Sequence, residues 1–183
     1  MAKYADMKWA GGKLNLPGLK KDLYAISTDF IVKWPKITES DDPVIDSTYQ
    51  GSFELTEGAV WTKISVIQRK NSLSSEPQGE KESTTVLNKL AVKHAGTDEQ
   101  AVSFQKKANR DNLVYIVQDM AGKFRVVGSD MYETTTKVSL NLGSDATSEK
   151  ATSIEVEAVD SCLPFYVGSI ITADGDVNAP AEL

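Results

Sequence analysis

The sequence predicts a mainly β protein. It reads as one β-sandwich or barrel domain of about eight or nine strands, with one α-helix, an N-terminal arm and a long hairpin loop. Three observations predict this. Runs rich in β-branched and aromatic residues recur along the chain, bounded by Gly, Pro, Asp or Asn. Only one stretch has helical spacing, so the strands do not alternate with helices as a parallel α/β sheet requires. The length of 183 residues suits one domain that buries a core without disulfide staples, and no linker separates two cores.

Residues 1–21 read as an arm. Gly11, Gly12, Pro17 and Gly18 break any periodicity. Trp9, Leu14, Leu16 and Leu19 are too apolar for a free tail, so they are expected to anchor on the arm's own domain or on a neighbour. The domain is expected over 22–171. Residues 22–34 read as one strand or two short ones closed by Pro35, 38–48 as an acidic loop, and 49–55 as a short strand. Ala59 to Lys70 alternates, with Val60, Thr62, Ile64 and Val66 on one face.

Residues 71–82 have little apolar content and read as a flexible loop between strands, with Leu73, Pro77 and Gly79 as its contact residues. Loops of that length inside a compact domain carry function or are disordered. Ser83 to His94 resumes a strand. Thr97 and Gln100 fit a capping box, and Ala101, Phe104 and Ala108 continue at helical spacing, so a helix is expected over 97–110. Lys106, Lys107 and Arg110 suit its C-terminal dipole. Leu113 to Val117 and Lys123 to Val127 flank a turn and predict a hairpin. Strands follow at 133–142, 151–159 and 164–171, and 172–183 reads as a frayed tail.

Composition removes most site chemistries. One cysteine and one histidine exclude a disulfide framework, a Cys/His zinc cage and a redox pair within the chain. His94 ends a strand, and Cys162 reads as a small buried hydrophobe. No nucleophile elbow or phosphate loop occurs, and Asp174-Gly175-Asp176 lacks the later ligands of a calcium loop. Neither an enzyme nor a cofactor is expected, and no apolar run is long enough for a membrane helix. Trp9, Trp34 and Trp61 are more readily explained by packing or subunit contact than by a sugar site.

The net charge of −6 argues against a general nucleic-acid binder. It is uneven along the chain. Residues 129–183 hold ten acids and two bases, whereas residues 1–128 hold 18 bases and 16 acids. Glu155 and Glu157 lie two apart on a strand, so they share a face that is expected to be acidic and solvated.

The order of these features, with Gly96-Thr97-Asp98-Glu99-Gln100-Ala101, Ala108-Asn109, the hairpin from Leu113 to Ser129, and Cys162-Leu163-Pro164-Phe165-Tyr166, resembles the tail tube proteins of tailed bacteriophages, in particular virion proteins of phages of gut Bacteroidetes. The likeness spans most of residues 20–171. It implies a self-assembling virion subunit, made in the bacterial host cytoplasm, that forms hexameric rings stacked through the arm and the loop. Its partners would be itself, other virion proteins and DNA passing transiently through a lumen, with Glu155 and Glu157 as a repelling wall. Two further readings are another virion part, such as a capsid decoration or tail-completion protein, and a monomeric β-sandwich module that binds carbohydrate.

Overall fold

The computed structural model describes residues 4–178. In chain order its strands are β1 (Leu19–Ser27), β2 (Ile31–Lys33), β3 (Thr48–Tyr49), β4 (Glu54–Leu55), β5 (Thr62–Ser65), β6 (Ser72–Gln78), β7 (Thr85–His94), β8 (Leu113–Asp119), β9 (Phe124–Val127), β10 (Thr135–Asn141), β11 (Ala151–Asp160), β12 (Phe165–Tyr166), β13 (Ile171–Thr172) and β14 (Gly175–Asp176). The helices are α1 (Pro43–Asp46) and α2 (Glu99–Ala108).

β8 explains the architecture. Its start, Leu113-Val114-Tyr115-Ile116-Val117, is apolar at every position, which suits a strand covered on both faces. Leu113, Tyr115 and Val117 enter one core, while Val114 and Ile116 enter a second. β1 repeats the pattern, with Leu23 and Ala25 on the first side and Tyr24 and Ile26 on the other. These strands sit inside a six-stranded sheet ordered β3-β12-β9-β8-β1-β5.

The first core lies between this sheet and a four-stranded one ordered β10-β11-β7-β6, making a sandwich. Ile154, Val156 and Ala158 of β11 and Leu90 and Val92 of β7 fill it from the second sheet. The Tyr115 hydroxyl crosses the core to the Thr136 Oγ1 at 3.0 Å, which satisfies a buried phenol. The second core, on the far face of the six-stranded sheet, is aromatic. Phe53 lies 5.2 Å from Trp34, 5.4 Å from Trp61 and 5.3 Å from Tyr166, ring centroid to ring centroid. Among the described residues the sheets do not close into a barrel.

The mainly β sandwich and the β8–β9 hairpin match the expectation, and five local readings change. Leu19 is not part of the arm: it is buried, opens β1 and pairs with Asp119. Residues 72–78 are not a loop. They form β6, paired with β7 from Ser72–Ala91 to Gln78–Thr85. Its polar composition suits an edge strand with one face in water, and Pro is tolerated there. The strand expected over 59–70 shrinks to β5, because a 3-10 turn at Gln68–Lys70 breaks it; Trp61, on the face opposite Val60 and Thr62 in that reading, is buried in the second core. The helix cap is Asp98, whose carboxylate accepts from the Ala101 N–H at 3.0 Å. Thr97 sits one residue too early to reach that amide. The expected tail is ordered as far as residue 178: β13 and β14 pair, and the Trp61 N–H donates to the Ile171 carbonyl at 2.8 Å. Residues 179–183 of that tail lie outside the described residues.

The one substantial helix guards an edge. β10 borders the four-stranded sheet, and an open edge invites pairing with another chain. Asn109, just past α2, behaves as a substitute peptide group. Its Oδ1 accepts from the Val138 N–H at 2.6 Å and its Nδ2 donates to the Val138 carbonyl at 3.1 Å. The Gln105 Nε2 donates to the same carbonyl.

Candidate assembly surfaces

Among the described residues no group of three His, Cys, Asp or Glu side chains is placed to hold a metal ion. His94 Nδ1 lies 2.7 Å from the Ser65 carbonyl, which ties β7 to β5. Cys162 is half-buried, and burial pushes its thiol pKa up, away from the reactive thiolate. Asp174-Gly175-Asp176 runs from the turn of the β13–β14 hairpin into β14, and the Asp176 Oδ1 accepts from the Ile170 and Asn178 N–H groups. Trp34 and Trp61 belong to the second core and Trp9 to the arm, so the three make no common platform.

Every described arm residue from 4 to 18 is exposed. Trp9 is 63% exposed, Leu14 78% and Leu16 49%. Most of that apolar area has no cover among the described residues. Leu19 is separated from these three and serves the fold.

The contact residues expected in 71–82 are spread over β6 and the turn after it. Leu73 points inward opposite Leu90 and packs on the first core. Pro77 lies opposite Val86 near the strand's end. Gly79 has φ +89°, and a Cβ there would meet the Ser83 carbonyl oxygen at 2.9 Å, so this turn requires glycine. β6 leaves one edge of its sheet open.

Glu155 and Glu157 are exposed on β11 and share the outer face of the four-stranded sheet. That face is not uniformly acidic. Lys137 of β10 stands opposite Glu155, and Lys89 of β7 stands opposite Glu157. Nearby, Lys89 Nζ lies 3.0 Å from Glu76, while Lys70 and Lys93 lie 2.7 and 2.8 Å from Glu149. These two lysines hold the Glu149 carboxyl below the usual carboxylate range. Exchanging both glutamates for lysine (E155K with E157K) therefore places like charges opposite each other. The double variant should fold, yet lose about 0.5–2 kcal/mol in urea unfolding at low salt, and much less at 1 M salt. A gain in stability at low salt would mean that the face is acidic after all.

Two features had little signal in the sequence. The first is a groove of about 670 Å³ between α2 and the ends of β1 and β5. Ala25, Ile26, Phe104 and Leu113 line it, and Phe30 and Val60 are exposed at 51% and 43% on its wall. Its residues come from three separate stretches, so no single pattern announces it.

The second is a buried polar corner. Asp160 and Asn88 are 3% and 0% exposed. They lie diagonally across β11 and β7 on the inward face, since Asp160 pairs with Val86 and Asn88 with Ala158. The Asp160 Oδ1 accepts from the Ser161 N–H at 2.6 Å, and the Asn88 Nδ2 donates to the Cys162 carbonyl at 2.9 Å. Among the described residues, Asp160 Oδ2 and Asn88 Oδ1 have no hydrogen-bond partner. Burial raises the Asp160 pKa, against the hydrogen bonds from Ser161, and Asp130 raises it further. Alternation from Ile154 through Ala158 predicts that Asp160 points inward, although the residue reads as the first of a turn.

No protein-family model matches the chain, and neither a curated protein nor a solved structure matches it.

Proposed function

We propose that this chain is a non-enzymatic virion structural protein that self-assembles into stacked rings, forming a phage tail tube through which DNA passes. The observation that carries the reading is the arm. A domain with two complete cores extends a segment whose Trp9, Leu14 and Leu16 stay in water. Exposed apolar clusters of this kind favour contact with another surface. The resemblance to tail tube proteins supplies the form of the assembly, and the hexameric ring number rests on that resemblance alone.

Negative-stain imaging of the purified protein tests the reading. Rings or tubes are the expected result, and the W9S/L14S/L16S variant should abolish them while leaving the melting temperature unchanged, because all three side chains are exposed. A monomer at high concentration would overturn the reading. Glycan binding by that monomer would favour a carbohydrate module, and assembly only on purified capsids would favour a decoration protein.

A further inference from the structure

We propose that the groove between α2 and the far end of β1 receives the N-terminal arm of a second copy, so that copies join head to tail along the β1 direction. This rests on the self-assembly reading and adds to it the receiving surface and the polarity of the contact.

The geometry of β1 carries the inference. The arm leaves the domain at Leu19, and the groove is built around Ala25, Ile26 and Ser27 and runs on to Phe30. Leu19 and Ser27 are the two ends of a nine-residue strand, about 26 Å apart. Leu16 and Leu14 precede Leu19 by three and five residues, spans of at most about 11 and 18 Å. Neither reaches the Phe30 end of its own chain's groove, and Trp9, whose ten-residue span of at most about 36 Å would allow it, is 63% exposed and does not line that groove. The arm joins β1 at the end opposite the groove, so it meets the groove of a second copy stacked end to end without reversing the chain.

The two surfaces also match in chemistry. The groove presents Phe30, Val60 and Phe104, and the arm presents Trp9 and Leu14, so each covers apolar area that the other leaves in water. Residues 1–18 carry Lys3, Lys8 and Lys13 against one acid, Asp6. The groove is bordered by Glu99 and Asp111 against one base, Lys107. A contact that joins one end of the molecule to the other end of the next is heterologous. It does not close on itself, so it propagates into a stack.

The test uses a fluorescein-labelled peptide of residues 4–18 and the full-length W9S/L14S/L16S protein, which keeps the groove and lacks a competing arm. Anisotropy should show saturable binding. Phe30→Glu in the same background should weaken it tenfold or more, since it removes a buried aromatic contact and adds an unpaired charge. Val60→Glu serves as the second variant should Phe30→Glu lose its fold by circular dichroism. Absence of binding, equal binding to the groove variants, or equal binding of a scrambled peptide would each overturn the proposal. The outcome separates from the tube reading. Wild-type tubes without peptide binding would remove the groove alone. Specific peptide binding with a wild-type protein that stays monomeric would overturn the tube and the contact between copies, and leave the groove as the arm's seat within one chain.

Discussion

Replacing Trp61 by alanine should cost the domain about 3–5 kcal/mol, the range for a large aromatic removed from a packed core. Trp61 is 2% exposed. Its ring meets Phe53 at 5.4 Å in a T-shaped contact, and Phe53 in turn touches Trp34, Tyr49 and Tyr166. The cavity would open at the centre of the second core, where several side chains share one neighbour. The backbone at Trp61 also receives β13, through its N–H bond to Ile171 and its bridge to Thr172. Urea unfolding should show the full loss. Hydrogen exchange should speed most at residues 170–172. A loss under about 1 kcal/mol would mean that the aromatic layer is a cover and not a core. Trp61→Phe keeps most of the ring contact and should lose less.

Replacing Asp160 by asparagine should make the domain more stable at pH 7 and leave it unchanged near pH 3. Burial raises the folded-state pKa of Asp160 above its unfolded value. The folded state therefore holds the proton more tightly than the unfolded chain. Such a group contributes its full stability below the unfolded pKa, near 4, and loses it as pH rises through the folded pKa. The charged groups around it do not reverse that sign. Asp130 opposes ionisation, and Tyr49 and Cys162 beside it are themselves pushed toward their neutral forms. The asparagine amide retains an oxygen for the Ser161 N–H and offers N–H donors toward a corner that holds the unpartnered Asn88 Oδ1. The gain at pH 7 should be about 1–3 kcal/mol, the cost of one unsatisfied buried polar group. Unfolding of both proteins across pH 3–8 reads this as a difference that grows with pH. A difference constant with pH would remove Asp160 as the titrating group.

Legibility followed the range of the interactions involved. Periodicity is local, so the β8–β9 hairpin, β7, β10 and β11 were readable from alternation alone, and α2 from its spacing. Residues 72–78 failed because an edge strand has only one covered face. Ser72-Leu73-Ser74-Ser75-Glu76-Pro77-Gln78 owes its order to hydrogen bonds from β7, and those leave little mark on its own composition. The segment 172–178 failed similarly, because its order comes from Trp61, more than a hundred positions earlier. Trp9, Leu14 and Leu16 were legible as an arm but not as exposed, whereas Leu19 looked alike and proved to be core.

By itself the sequence determined the fold class, the absence of the Cys and His sets that most site chemistries need, and a chain with an acidic final third. The acidic third did not become an acidic face. β11 lies between β10 and β7, so Glu155 and Glu157 stand opposite Lys137 and Lys89, and Glu149 takes both Lys70 and Lys93. Only the tertiary structure decided that, because register pairs residues by position in space. A carboxylate's field is set by the charges within a few ångströms, wherever they fall along the chain.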